Sequence, residues 1–235
     1  MITHRLNPEV LVASEASQIG ERQTWDEGPN ISEQVYQKLI DLLVSGELRP
    51  GDVIVERRMA SFLNASRTPV REALGRLEAE RLVYKQANRG VIVSPFSTEN
   101  FVNLLNVRKL LEAEAARLAA GKLTEAQIAD LRAALTGLAA IAQPTLAQVW
   151  EVDNKLHGAI ATASGNPLLA EMIGDLRRRT HVFNAYRSPT AQKFSDTENF
   201  TLLDAVASGD AEHARQTMIQ HIERVKTALI EQLSE

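Results

Sequence analysis

The sequence predicts a mainly α-helical chain in two parts: three helices closed by a β-hairpin, then an all-α bundle of six helices. Three observations carry this expectation. Aromatic residues make up only 5% of the 235 residues while Ala and Leu recur throughout, which suits a core of helix packed on helix. From Ile31 onward apolar residues return every three or four positions, and only two short strand-like runs interrupt them. Pro, Gly and polar breaks fall at helix-length intervals. At roughly 100–200 residues per domain, the length allows one large domain or two modest ones.

Residues 1–30 hold no sustained period and contain Asn7-Pro8, Ile19-Gly20 and Gly28-Pro29-Asn30, so a flexible arm is expected, with a short helix around Glu9–Ser17. Ile31, Val35, Leu39, Leu42 and Leu43 predict the first helix, with Ser32 as its cap. The turn signal Leu48-Arg49-Pro50-Gly51 ends it. Short helices follow near Glu56–Phe62 and Pro69–Glu80. Leu82–Lys85 and Gly90–Val93 then read as strands joined by a tight turn over Gln86–Arg89. Three helices and a hairpin across residues 31–94 is the plan of a winged helix-turn-helix. A linker, Ser94-Pro95-Phe96-Ser97, centres on 95–98, and the domain beyond it spans 99–235. Its helices are expected near 99–120, 124–142, 145–164, 167–187, 197–208 and 210–233. Thr124-x-x-Gln127 is a capping box opening the second of them.

Composition removes several function classes. The chain has no cysteine, which excludes a disulfide scaffold, a cysteine nucleophile and thiolate metal sites. Its apolar runs are far shorter than the roughly 20 residues that cross a bilayer. The start MITHRLNPEV lacks the basic and apolar regions of a secretory signal, so a cytoplasmic protein with no membrane partner is expected. Net charge is −4, but it is unevenly placed. Residues 32–96 carry ten basic and eight acidic side chains, net +2, whereas 1–31 and 97–235 are each net −3. Local field rather than total charge decides whether a surface attracts phosphate.

The basic segment has an interpretable start. Pro69 suits the first turn of a helix, capped by Ser66 or Thr68, and this end gathers free backbone N–H groups, two hydroxyls, Arg67 and Arg71. Such a helix end suits phosphate, and Arg from its first turns suits guanine edges in the major groove. Arg89-Gly90 at the hairpin tip would reach an adjacent groove or backbone. A plain solvated helix face is the competing explanation.

Ser66-Arg67-Thr68-Pro69-Val70-Arg71-Glu72-Ala73-Leu74, preceded by Leu48-Arg49-Pro50-Gly51-Asp52 and followed by Leu77-Glu78, resembles the DNA-binding domain of GntR-type bacterial transcriptional regulators. The resemblance covers roughly 32–96. It implies DNA contacts from Arg57, Ser66, Arg67, Thr68 and Arg71, with Gly90 in the wing. One departure is Arg81, where the family usually has Gly.

In the second half, three apolar stripes are each broken by polar residues. Phe101, Leu104, Leu111, Ala115 and Leu118 share a stripe with Arg108; Leu146, Val149 and Ile160 with Asp153 and His157; Ala214, Met218 and Val225 with His221. Unpaired charge in a helical core costs several kcal/mol, so these residues need partners. Asp153 and His157 stand at i and i+4, a spacing for two ligands of one metal, with His221 as a third. A simple Asp153–His157 hydrogen bond is the alternative. Without thiolate, such a set suits zinc, nickel, manganese or iron(II) without choosing among them. Arg108 is expected to clamp a carboxylate through paired hydrogen bonds, or else to pair with Glu112 four residues on. Arg177–Arg179 and His181 are expected mostly on a solvated face, with one of them reaching the pocket as the alternative, and His213 on the surface.

Val107-Arg108-x-x-Leu111-Glu112, Asp153-x-Lys155-Leu156-His157, Ser164-Gly165-Asn166-Pro167-Leu168 and Gly209-Asp210-Ala211 with His221 resemble the FCD effector domain of the FadR subgroup. Six helices place it nearer the VanR-like branch. The resemblance implies a divalent metal held by one Asp and three His beneath a small carboxylate effector. Asp153, His157 and His221 match three positions, while the fourth, in a Glu-His pair, is Glu198-Asn199 here. Asn199 is a much weaker ligand and also a candidate effector contact. The reading that follows is a homodimeric, non-enzymatic repressor that binds palindromic double-stranded DNA and responds to a small carboxylate, with no organic cofactor. A metal-dependent enzyme with an accessory N-terminal domain is the competing class.

Overall fold

The computed structural model describes residues 31–87, 89–95, 97–187 and 196–233. The expected arm and its short helix, turn residue Asn88, linker residue Phe96 and most of the polar stretch Ser188–Asp196 lie outside them. The chain divides into two compact units at Pro95/Phe96.

The first unit runs α1 (Ile31–Val44), β1 (Val53–Ile54), α2 (Glu56–Phe62), α3 (Arg67–Ala79), β2 (Val83–Gln86) and β3 (Gly90–Val93). Val35, Leu39 and Leu43 of α1 are fully buried, as are Val70, Ala73 and Leu77 of α3, because each set recurs on one face of its helix. Ser32, expected as a cap, lies inside α1 and its hydroxyl bonds Glu72 of α3. The hairpin is part of a three-stranded antiparallel sheet in the order β1-β3-β2. β1 was not anticipated: two residues carry no period, and it forms only because Val53 and Ile54 meet Ile92 and Val91 of β3. The turn before it is tied by Arg49 N–H donating to Asp52 Oδ2 at 2.8 Å. Gly90 opens β3 at φ 106°, where a Cβ would stand 3.2 Å from the Ile54 carbonyl oxygen, so the wing requires glycine there.

The second unit is all helical: α4 (Thr98–Ala119), α5 (Glu125–Ala139), α6 (Leu146–Ala163), α7 (Pro167–Arg187), α8 (Asp196–Ala207) and α9 (Ala211–Leu233). Helix starts follow local chemistry. Ser97 Oγ accepts from Asn100 N–H, and Thr124 and Thr145 both build capping boxes, with Gln127 and Gln148. Asp210 Oδ1 accepts from the N–H groups of Glu212 and His213 at the start of α9. A shared core joins Phe101 and Leu105 of α4, Leu156 and Ile160 of α6, Leu202, Leu203 and Val206 of α8, and Met218 and Ile222 of α9. Phe101 stacks on Phe183 of α7 at 4.0 Å between ring centres. No helix among the described residues is long and apolar enough to cross a membrane.

Candidate functional site

In the first unit the basic residues separate into two groups. Arg76 is held against α1 at the surface: it pairs with Glu33 and its guanidinium lies 3.8 Å over the Tyr36 ring, while Lys85 pairs with Glu78. Tyr36 in turn donates its hydroxyl to buried Glu80 at 2.8 Å. Arg57, Ser66, Arg67, Thr68, Arg71, Arg89 and Gly90 are exposed. α3 begins at Arg67 rather than Pro69, which puts Thr68 and Pro69 inside the first turn, where a proline forfeits no helical hydrogen bond. Ser66 occupies the cap position without a side-chain cap bond. Arg67 and Arg71, one turn apart and each 63% exposed, reach the same Glu56 Oε2, at 3.7 and 3.9 Å. Glu56 opens α2, so one carboxylate gathers both guanidiniums at the head of α3. That presents two forked donors and free backbone N–H groups on one surface.

In the second unit Arg108, Glu112, Asp153, His157, Arg177 and His221 converge from four helices. Glu112 is 2% exposed and takes three donors: Arg108 Nε at 2.6 Å, His157 Nδ1 at 2.5 Å and Arg177 Nη1 at 3.5 Å. Burial opposes its charge, but Arg108, His157 and Arg177 hold its carboxyl well below the usual range. Ionised Glu112 therefore accepts from Nδ1–H of His157 and fixes the ring by that edge. The ring's Nε2 faces Asp153 Oδ1 at 3.6 Å and has no hydrogen bond. Asp153 Oδ2 accepts from Arg177 Nη2 at 2.6 Å. Burial opposes its charge too, yet Arg177 and the two imidazoles keep Asp153 far below the usual carboxylate range. The His221 ring lies 5.1 Å from that of His157, and its buried Nδ1 is without a hydrogen bond, 3.8 Å from Glu198 Oε2. Burial, aided by His157, depresses His221 to about 3, so it is neutral at pH 7.

Arg108 forms the Glu112 pair foreseen as its alternative role, but that pair uses Nε alone. Among the described residues, none bonds its two Nη groups. Arg177 and His181 correct the expected solvated face. Arg177 is 1% exposed and sits between Glu112 and Asp153, and its guanidinium lies 5.5 Å over the Trp150 ring. His181 stacks on Trp150 at 4.1 Å and 7°. Leu169, Ile173 and Thr180 flank Arg177 at helical spacing, so the broken apolar stripe that singled out Arg108 marked Arg177 as well. Trp150, three residues before Asp153 on α6, lies on the same face.

The potential ligand atoms of Asp153, His157 and His221 lie within 4.8 Å of one another. Ligands at about 2.0–2.2 Å from one ion stand roughly 3–4.4 Å apart, so a small contraction brings the three into one coordination shell. The unbonded Nε2 of His157, the unbonded Nδ1 of His221 and the second carboxylate oxygen of Asp153 fit a divalent transition metal. Glu112 would be the carboxylate that orients a ligating histidine, and Arg177 would do the same for Asp153. Asn199 is 1% exposed with its Oδ1 unbonded.

The comparisons with known proteins agree with both units. Residues 31–93 match the model described as bacterial regulatory proteins of the gntR family, and residues 103–224 match the FCD domain. The HTH-type transcriptional regulator LutR of Bacillus subtilis is 30% identical over 212 residues, covering 80% of this chain and 96% of that protein. The Glc operon transcriptional activator of Escherichia coli K12 is 29% identical over 87% of this chain and 91% of its own length. The E. coli McbR/YncC structure superimposes with a TM-score of 0.70 at 25% identity, covering 86% of this chain and 98% of that one. These relatives are regulators, and the metal-dependent enzyme reading is set aside. The two matches, over residues 31–93 and 103–224, show that the chain belongs to the GntR family of bacterial transcriptional regulators, with an FCD domain behind its DNA-binding domain.

Proposed function

We propose that the chain is a cytoplasmic, homodimeric repressor of the six-helix, VanR-like branch, released from a palindromic operator by a small carboxylate bound in the second unit. Arg67, Arg71 and Thr68 would read and grip DNA from α3, with Arg57, Ser66, Arg89 and Gly90 adding backbone contacts. The observation that carries the effector site is Arg108: it is 7% exposed, anchored through Nε, and its Nη pair is unspent among the described residues. A planar fork fixed in place this way matches a carboxylate with two parallel hydrogen bonds. A divalent metal on Asp153, His157 and His221 would supply a Lewis-acidic anchor for a further effector oxygen.

Glu112 pairs with Arg108 and Arg177 with Asp153, so the charges of the cluster are matched within the bundle. An effector carboxylate docked on the Nη pair of Arg108 would add negative charge beside Glu112, and its differential affinity for the two arrangements is what would shift DNA affinity.

The test begins with DNA selected from a random pool by the wild-type protein and a thermal-shift screen of small carboxylates with a divalent cation present. Hits are then added to a gel shift on the selected site. Arg108→Ala should bind that DNA with wild-type affinity and fail to release it at a dose that frees the wild type. Release at the wild-type dose removes Arg108 from the site.

A further inference from the structure

We propose that Asn199 is a metal ligand through its amide oxygen, and that this oxygen sets the centre's choice toward oxygen-preferring cations such as Mn²⁺ or Fe²⁺ and away from Zn²⁺. The proposal rests on reading Asp153, His157 and His221 as a metal centre. Asn199 is as deeply buried as any polar residue of the bundle, yet no described residue donates to its Oδ1. Leaving such an oxygen unmatched forfeits its hydration with nothing in return, so a buried orphan calls for a partner from outside the protein.

Its place on α8 says where that partner would sit. Leu202, Leu203 and Val206 follow Asn199 by three, four and seven residues, so all four share one face. Those three side chains pack in the same core as Leu156 and Ile160, which bracket His157 on α6, and as Met218 and Ile222, which bracket His221 on α9. The neighbouring Glu198 reaches to 3.8 Å of His221 Nδ1. Asn199 thus enters the bundle on the α8 face that packs against the two histidine-bearing helices.

The donor chemistry then decides the ion. Two imidazoles and one carboxylate form the set used for iron(II) with open positions, and an amide oxygen adds a second hard, weak donor. Replacing a third imidazole with a carbonyl oxygen removes a strong bond to zinc but little from manganese, whose preferred ligands are carboxylate, carbonyl and water. Zinc favours four ligands, whereas a six-coordinate ion with these four keeps two positions for oxygens of the carboxylate effector.

The experiment uses full-length protein stripped with chelator, with Zn²⁺ and Mn²⁺ alone as probes. Affinities for each are measured by competition with an indicator dye, and circular dichroism confirms folding of every variant. Asn199→His should tighten Zn²⁺ by about tenfold or more, the scale on which even outer-shell partners act, while Mn²⁺ moves much less. Asn199→Asp, which keeps an oxygen, should tighten both and leave the Zn²⁺/Mn²⁺ ratio nearer the wild type than the His variant does. If Asn199→His shifts both cations equally or neither, Asn199 is not a ligand and the proposal falls while the three-residue centre stands. If Asp153→Ala binds both cations as well as the wild type, the centre itself falls, and the proposal with it.

Discussion

Arg81 shows how a single residue can be tolerated against its own conformational preference. It follows α3 and turns the chain into β2 at φ 58°, the left-handed region where an L side chain costs about 1–2 kcal/mol and glycine costs little. The departure noted in the sequence thus changes the strain at this turn and not its path: Arg81 N–H still donates to Glu78 carbonyl at 2.9 Å. Arg81→Gly should therefore raise stability by about 1 kcal/mol, less what glycine gains in the unfolded chain. Urea unfolding measures this, and an unchanged or lower midpoint would contradict the strain. His181 makes a second residue-scale argument. Burial against Trp150 depresses its pKa to about 4, with Arg177 adding to the fall and Asp153 opposing it. The folded state then binds fewer protons than the unfolded one between pH 4 and 6.5, so stability is full above about 6.5 and declines as pH falls. From that shift the loss is about 2 kcal/mol at pH 5. His221, depressed in the same direction, adds to it. His181→Gln in chelator should flatten the pH 5–7 slope in part, and an unaltered slope would mean that His181 is not buried neutral.

At the scale of the element, α3 divides its basic residues by what each faces, and this yields a paired prediction. Arg71→Ala should weaken binding to selected DNA by about 1–3 kcal/mol if its fork reads a base edge. Arg76→Ala should change DNA affinity little and lower stability instead, because Arg76 is held by Glu33 and Tyr36. Equal effects of the two variants in a gel shift would erase the distinction. Sequence alone singled out Arg67, Arg71 and Arg89 but gave Arg76 no role, because a charge run does not show which members have partners on a helix forty residues away. Helices were more readable: their periods, the Thr124 box and the Pro and Gly breaks are local, and α4–α9 lie within a few residues of their expected ends. β1 was invisible because pairing with β3, not its own two residues, makes it a strand. In the site, Arg108, Asp153, His157 and His221 were readable as gaps in apolar stripes. Arg177 left the same trace on α7 but sat in a run of three arginines, where a solvated face was the simpler reading.

For the whole molecule, positive charge is concentrated in one stretch. Residues 32–96 are net +2 while 1–31 and 97–235 are each net −3, so attraction to DNA would belong to 32–96 and a sensing bundle would contribute through coupling. Coupling of that kind is reciprocal. If a carboxylate effector lowers operator affinity by some factor, saturating operator must lower effector affinity by the same factor, typically about 5–150-fold. Trp150, stacked on His181 and beneath Arg177, places a fluorophore at the site, and Trp25→Phe removes the other tryptophan of the chain. Effector titrations followed by Trp150 emission, with and without saturating selected DNA, should differ by the factor that gel shifts give for DNA with and without effector. In Arg71→Ala, at concentrations where DNA no longer binds, the two effector curves should coincide. Matching factors would mean that one two-state equilibrium joins the units. If effector releases DNA while its own affinity ignores saturating DNA, release proceeds by some route other than a shift between two folded arrangements, and the bundle is not the sensor proposed here.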